Sequence, residues 1–196
     1  MRNSGILLGI AGLPGDYGIG KLGDKARLFV DFLAASGQKY WQILPLSPTG
    51  YGDSPYQSCC CNAGNPYFID FETLEADGLL EPSEYKNTVF GDNPSYINYG
   101  MLYKTVSPTL RIAYSRFKPD YGMEEFARKN SDWVQDYALF MALKDENKGK
   151  PWYEWSEPLR MAEQEALACA RERLKEDIGF YIFTQYEFYR QWFALK

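Results

Sequence analysis

The apolar positions fall into two short runs near the start of the chain and longer stripes of helical spacing further on. Residues 5–10 (GILLGI) and 40–46 (YWQILPL) are apolar runs bounded by turn residues, a pattern typical of strands buried on both faces. Between them, an apolar stripe predicts a helix that Asp24 caps and Gly37 ends. Two strands joined by a helix predict a βαβ unit with a parallel strand pair.

The rest of the chain alternates between loop-rich and helical patterns. Residues 47–100 are dense in Gly, Pro, Asn, Ser and Tyr, and within them 67–71 predicts a strand. Helical spacing returns over 100–145, and a long helix is predicted from Ser156 to the end, strongly apolar from Ile178. Such an apolar helix must be buried against further parts of a protein, and two parallel strands need neighbouring strands and helices that cover both faces of the sheet. We therefore expect the N-terminal part of a larger α/β barrel, with a terminal docking helix as the alternative.

The composition is that of a globular protein, and it removes several function classes. The chain has 196 residues, with 21 Lys and Arg against 26 Asp and Glu, and a net charge of −5. An acidic chain without a basic run is a poor match for a phosphate backbone, so we expect no nucleic-acid partner. No apolar stretch approaches the ~18 residues that span a bilayer, so we expect no membrane partner.

Two residue types limit the chemistry further. There is no histidine, which excludes Ser-His and Cys-His catalysis. The four cysteines, without a C-x-x-C spacing, predict reduced thiols in a cytoplasmic protein and no metal site; they are Cys59, Cys60, Cys61 and Cys169. Asp53 and Asp70 are the acids near predicted strand ends, and neither has an evident acidic partner. These patterns therefore nominate no pair of catalytic carboxylates.

Gly18, Gly20 and Gly23 match the G-x-G-x-x-G pattern of dinucleotide-binding turns. In such turns the first glycine ends the strand and the second strand ends in an acid. Here about eight residues intervene, and the second strand ends in Leu-Pro-Leu. A phosphate- or nucleotide-binding protein is therefore the weakest alternative, and a turn that brings backbone close to another segment is favoured.

The segment 49–58 (TGYGDSPYQS) carries the candidate binding chemistry. It follows the C-terminal end of the second predicted strand, the end that carries the active site in α/β barrels. Tyr51 and Tyr56 offer flat apolar faces, and Asp53, Ser54 and Gln57 offer hydrogen-bonding groups. This combination suits a pyranose, whose CH-lined face packs on a ring while its hydroxyls pair with polar side chains. A structural loop without a ligand is the alternative.

Short motifs along the whole chain carry a family resemblance. They are residues 4–8 (SGILL), 17–20 (YGIG), 40–46 (YWQILPL), 48–58 (PTGYGDSPYQS), 63–66 (AGNP), 136–144 (DYALFMALK) and 188–192 (FYRQW). Together they closely resemble the opening of the 4-α-glucanotransferases, or amylomaltases, of glycoside hydrolase family 77. The resemblance covers essentially all of the chain, in register.

The resemblance implies an α/β fold in which this chain is the N-terminal part of a (β/α)8 barrel. Residues 1–50 would supply about two barrel strands and the helix between them. Residues 51–155 would form a loop-rich and helical insertion, and 156–196 a long helix leading toward a third strand. The family's catalytic carboxylates lie on later strands, past residue 196, so the isolated chain is expected to be inactive.

The resemblance also implies the reaction. The family moves a segment of α-1,4-glucan to the 4-hydroxyl of an acceptor sugar, by a retaining double displacement and without a cofactor. Tyr51, Ser54 and Tyr56 inherit contacts with the glucan, Tyr56 nearest the cleaved bond, while Asp53 and Gln57 support the loop. A standalone carbohydrate-binding module without catalysis is the alternative.

Further residues add to this picture or depart from it. Tyr96, Tyr99 and Tyr103 follow a polar turn, and the last two share a helical face, so a core or interface role competes with a binding role. The resemblance places Tyr103 at a secondary glucan contact. Residues 9–12 (GIAG) and 59–62 (CCCN) differ from the usual family pattern, and both border the expected cleft.

Overall fold

The first of two compact units contains the βαβ pattern. The computed structural model describes residues 2–50 and 52–196. One unit consists of the residues up to Lys118 together with Glu187–Lys196, and the second is Pro119–Tyr186. The first unit contains, in order, β1 (Gly5–Leu7), α1 (Asp24–Ala35), β2 (Tyr40–Gln42), α2 (Phe71–Ala76), α3 (Pro82–Tyr85) and α4 (Tyr99–Arg116).

The two strands pair in parallel, which confirms the βαβ prediction. In the register, Gly5 lies opposite Tyr40 and Leu7 opposite Gln42. The ladder extends by one bond, in which the Leu8 N–H donates to the Gln42 carbonyl at 2.9 Å. β1 is shorter than the apolar run that predicted it, because Ile10–Gly12 turns into a 3-10 helix.

The expectation that both strands are buried on both faces is wrong for this chain. β1 is exposed along its length, and in β2 only Trp41 is half-buried. Large apolar side chains on the strands and on α1 are 58–61% exposed: Leu7, Leu28, Phe32 and Tyr40. Within the described residues the sheet has two strands, so no third strand covers the outer edge of either one.

The strand predicted over 67–71 is also wrong, because side-chain caps shape this segment instead. Pro66–Phe68 is a 3-10 turn, in which Asn65 Oδ1 accepts the Tyr67 N–H at 3.0 Å. Asp70 caps α2, and its Oδ2 accepts the Thr73 N–H at 2.8 Å and the Thr73 hydroxyl at 2.7 Å. Asn and Asp side chains that satisfy backbone N–H groups favour turns and helix starts over strands.

An aromatic cluster forms the core of the first unit, with ring centroids 5.1–5.9 Å apart: Tyr17, Phe71, Tyr85 and Phe90. The Tyr17 hydroxyl donates to Glu72 at 3.0 Å, and the Tyr85 hydroxyl donates to Glu75. Burial and these carboxylates raise the pKa of both tyrosines. The cluster anchors the segment before α1 to α2 and α3.

The second unit is helical. It contains α5 (Tyr121–Lys129), α6 (Val134–Glu146), α7 (Glu157–Arg160), α8 (Gln164–Arg173) and the first part of α9 (Lys175–Leu195), whose residues from Glu187 belong to the first unit. The single long helix predicted from Ser156 is therefore wrong. Ala162 adopts a left-handed φ of 54° after α7, and Leu174 leaves helical geometry after α8. The three-part division of the chain stays a prediction.

Membrane crossing requires a helix that is both long and apolar. No helix in the described part of the chain meets both requirements.

Candidate functional site

The 49–58 segment forms a self-closed exposed loop. The Gly50 N–H donates to the Gln57 carbonyl at 3.2 Å, and the Asp53 N–H donates to the Gly50 carbonyl at 3.1 Å. Gly52 and Asp53 adopt left-handed φ values of 98° and 58°, which turn the chain back on itself. Tyr51 lies outside the described residues. We call residues 50–57 the glucan loop, after the ligand class its motif predicts.

Three of the predicted binding residues of the glucan loop are accessible to solvent. Tyr56 is 73% exposed, and Asp53 and Gln57 are exposed as well. Ser54 is half-buried, and its hydroxyl oxygen accepts the Tyr56 N–H at 3.3 Å, while its carbonyl accepts the Gln57 N–H at 3.1 Å. Ser54 therefore shapes the loop, and Tyr56 offers a free aromatic face.

Three tyrosines form a cluster that interacts electrostatically with Asp53 of the glucan loop: Tyr67, Tyr99 and Tyr103. The rings of Tyr67 and Tyr99 have centroids 6.3 Å apart. Burial raises the pKa of Tyr67 to about 12, and Asp53, Tyr103 and Tyr99 add to the rise. Burial and Asp53 also raise the pKa of Tyr99. Asp53 and Tyr103 thus both act on the pKa of Tyr67.

The cluster contains one residue that the sequence did not single out. Tyr67 was assigned to a strand, whereas it lies on the turn between Asn65 and α2. The signal that could have found it is the tyrosine directly after Asn-Pro, a pairing that favours a turn. Tyr103, on α4, is 70% exposed, so its ring remains available to a ligand.

A groove of about 440 Å³ lies where the glucan loop leaves the body of the first unit. Its lining comes from three segments, namely residues 43–47, residues 61–64, and Phe188, Tyr189 and Trp192 on α9. The Tyr189 hydroxyl donates to the Asn62 carbonyl at 2.6 Å. Gly64 lets the Phe188 ring approach, because a Cβ there would lie 2.0 Å from that ring. The base of the glucan loop is therefore held by residues far along the chain.

The space beside the glycines of the G-x-G-x-x-G segment is occupied by other parts of the protein. A Cβ at Gly18 would lie 2.3 Å from the Phe90 carbonyl oxygen, and one at Gly20 would lie 1.9 Å from that of Ile10. A Cβ at Gly23 would lie 2.4 Å from Cγ, the carboxylate carbon of Asp70. These glycines serve close backbone packing, as the sequence favoured, and they bring a carboxylate where a phosphate would need a donor.

The cysteines could form disulfides, and together with acidic side chains they could bind a metal ion. Among the described residues, no disulfide joins any of the four cysteines: Cys59, Cys60, Cys61 and Cys169. In the part of the chain that the structure describes, no group of three or more Cys, Asp or Glu side chains is arranged to hold a metal ion.

Known proteins resemble this chain along nearly its whole length. A family model described as 4-alpha-glucanotransferase matches residues 8–196. The chain belongs to this family. Its sequence is 46% identical over 189 residues to a 4-alpha-glucanotransferase of Clostridium butyricum, covering 95% of this chain, and 45% identical over 201 residues to that of Thermus thermophilus, covering all of it. The resemblance stated from the motifs is confirmed.

Solved structures of the family agree with this assignment. An amylomaltase from Streptococcus agalactiae in complex with acarbose has a TM-score of 0.95 to this chain at 42% identity. An amylomaltase from Corynebacterium glutamicum has a TM-score of 0.72 at 16% identity, a likeness of fold alone. The chain covers 39% of each of the two sequence relatives named above, and 40% and 28% of these two structures. It therefore matches a part of longer proteins.

Proposed function

We infer that this chain is the N-terminal, glucan-binding part of a 4-α-glucanotransferase. The observation that carries this proposal is the match over residues 8–196 to a family of that name. An exposed loop of aromatic and polar side chains, beside three tyrosines, supports it. The solved relative that holds acarbose supports a carbohydrate-like ligand for this fold.

The barrel explains the two exposed strands. β1 and β2 would be the first two of eight parallel strands, and later strands would cover their edges and outer faces. The glucan loop follows β2 at its C-terminal end, which is where α/β barrels build their active sites. The proposed division of the chain then has three parts: the barrel strands in 1–50, the insertion in 51–155 and the helix leading back to the barrel in 156–196.

The roles of the loop residues follow from their chemistry. Tyr51 and Tyr56 would stack on the apolar faces of glucose units, Tyr56 nearest the cleaved bond. Ser54 would donate to a sugar hydroxyl, and Asp53 and Gln57 would hold the loop and accept or donate at its rim. Tyr103 would contact a second stretch of glucan.

The chemical step would be performed by carboxylates outside this chain. One would attack the anomeric carbon and the other would protonate the leaving oxygen, then deprotonate the acceptor 4-hydroxyl. Transfer requires that a bound sugar, rather than water, meets the intermediate, so the contribution of this chain is to hold sugar and exclude water. We propose that the reaction uses no cofactor and takes place in the cytoplasm.

A chimera tests this proposal. The chain would replace the matching N-terminal segment of the Thermus thermophilus relative, and glucose release from maltotriose would report transfer. We expect the chimera to be active and the isolated chain to be inactive. Tyr56→Ala in the chimera should lower kcat/KM at least about tenfold, whereas Tyr121→Ala, which removes an equally exposed tyrosine elsewhere, should not.

Two outcomes would contradict the proposal. Glucose release by the isolated chain would mean that the catalytic carboxylates lie within it. A chimera that folds but neither binds maltoheptaose nor transfers would mean that this chain does not supply the glucan-binding part.

A further inference from the structure

Lys21 is a buried cation that the proposed reaction does not use. Its side chain is only 5% exposed, although lysine is among the residue types least often buried. It lies between Gly20 and Gly23, whose missing side chains let this segment pack against Ile10 and Asp70. The amine thus lies in the interior of the first unit, next to a tightly packed stretch of backbone.

The buried amine has specific partners. Lys21 Nζ donates to the Tyr67 carbonyl at 2.8 Å and lies 4.0 Å from the centroid of the Phe71 ring. Asp70 is the charged group that acts on it, and burial outweighs this attraction and lowers the pKa of Lys21 to about 7. A carbonyl oxygen and an aromatic face are groups that stabilise an ammonium ion without neutralising it.

Two adjacent residues hold two adjacent carbonyls of the 3-10 turn. While Lys21 binds the Tyr67 carbonyl, the neighbouring Leu22 N–H donates to the Phe68 carbonyl at 2.8 Å. Two successive carbonyl groups of the turn are thus held by hydrogen bonds from the same segment. The ring of the same residue has its centroid 6.3 Å from that of Tyr99, and burial and Asp53 of the glucan loop raise the pKa of Tyr67.

We propose that Lys21 is a positioning residue of the glucan site, which fixes the Tyr67 peptide and thereby keeps the Tyr67 ring beside Tyr99. Lys21 touches no sugar and acts through Tyr67. This inference rests on the proposed function for the ligand, but the link from Lys21 to Tyr67 can be tested separately.

The sequence offers a specific probe of this link. Tyr67-Phe68 is the only Tyr-Phe pair in the chain, so 13C-carbonyl tyrosine combined with 15N-phenylalanine gives one cross-peak in an HNCO spectrum. That peak reports the carbonyl that accepts from Lys21. In Lys21→Met, which retains the length of the stem, we expect its carbonyl resonance to move upfield through loss of the hydrogen bond. In Lys25→Met, an exposed lysine on α1, it should stay in place.

A pH titration of the wild-type chain gives an independent readout if Lys21→Met does not fold. The Tyr67 carbonyl should move with a midpoint near pH 7, together with the Cε signal of Lys21, as the ammonium loses its proton. If the lysine titrates and the Tyr67 carbonyl does not move, the proposal is overturned. A folded Lys21→Met whose Tyr67 peak is unchanged overturns it as well.

Maltoheptaose then tests the part that depends on function. We expect maltoheptaose to move the Tyr67 peak of the wild-type chain, and Lys21→Met to weaken its apparent affinity about fivefold. If maltoheptaose moves no peak while the variant and pH effects hold, the glucan site is wrong and the positioning of Tyr67 stands. If affinity is unchanged in a variant whose peak has moved, the assigned role in binding is overturned.

Discussion

The glucan loop and the turn that follows it, residues 65–70, are neighbours in sequence but are held in different ways. The loop is largely exposed, and hydrogen bonds among its described residues close it, such as Gly50 to Gln57 and Asp53 to Gly50. The turn is mostly buried, and besides its local caps it has distant partners: Lys21 binds Tyr67 from 46 residues before it, and Gln191 binds Asp70 from 121 residues after it. On the proposed function, the exposed loop would contact sugar, whereas the buried turn is held in place by residues far along the chain.

This division has a physical reason. A loop that receives a ligand must keep its rings and polar groups in water, so few of its contacts can be buried. A turn behind it can bury its polar groups only if each one is satisfied. Asp70 shows this, because its N–H donates to Gln191 Oε1 at 2.7 Å and its carboxylate binds Thr73.

The largest expected effect comes from the base of the loop. Gly64→Ala would place a Cβ 2.0 Å from the Phe188 ring, so α9 or the 61–64 segment must shift. We expect a loss of about 3 kcal/mol in the free energy of unfolding, measured by urea denaturation. Gly15→Ala is the matched control, since its Cβ would be 3.6 Å from the nearest atom. Equal stability of the two variants would contradict the packing described here.

The next effect concerns the distant partner of the turn. Gln191 is 2% exposed, and Gln191→Leu keeps its bulk but leaves the Asp70 N–H without an acceptor. An unsatisfied buried donor costs about 2 kcal/mol. Gln164→Leu, at an exposed glutamine of α8, should change stability by less than about 0.5 kcal/mol. Thermal unfolding of both variants checks this, and a Gln191→Leu chain as stable as wild type would show that the turn does not depend on α9.

A third effect is the pH dependence that Lys21 causes. Burial lowers its pKa from 10.5 to about 7, so between pH 7 and 9 the unfolded chain binds a proton that the folded chain lacks. Stability should therefore rise with pH in this window, by up to about 1.4 kcal/mol per pH unit, and the raised pKa of Tyr17 and Tyr85 should reverse the trend only above pH 10. In Lys21→Met the urea midpoint should rise less steeply with pH. If the midpoint of this variant rose with the same slope as that of the wild type, the pH dependence would belong to another group.

The smallest expected effect on stability belongs to the glucan loop. Tyr56 is 73% exposed, so Tyr56→Ala removes little buried surface and should change the free energy of unfolding by less than about 0.5 kcal/mol. Urea unfolding of the isolated chain measures this. A loss above 1 kcal/mol would mean that Tyr56 is a packing residue and that the contrast between loop and turn is weaker than described.

Local patterns predicted the parts of the fold that depend on local chemistry. The two apolar runs and the helix between them correctly predicted the parallel pair of β1 and β2. The strand predicted over 67–71 failed because Asn65 and Asp70 cap a turn and a helix there. The break of the final helix at Ala162 had no sequence signal, since an alanine with a left-handed φ is uncommon.

The candidate site divides in the same way. Asp53, Ser54, Tyr56 and Gln57 lie in one contiguous motif, and a motif can be recognised from the sequence alone. The other residues of the site are identified only through contacts between residues far apart in the chain; they are Tyr67, Lys21 and Gln191. Such contacts depend on the folded arrangement, and no spacing in the sequence encodes them.

Amide hydrogen exchange with and without maltoheptaose tests the contrast between loop and turn most directly. Apart from Pro55 and Pro66, which have no amide hydrogen, we expect the amides of residues 65–70 to exchange slowly in the free chain and those of 52–57 to exchange fast, with maltoheptaose slowing exchange in the loop and leaving that of the turn unchanged. Exchange of the turn as fast as that of the loop, or protection by maltoheptaose that avoids the loop, would contradict the account.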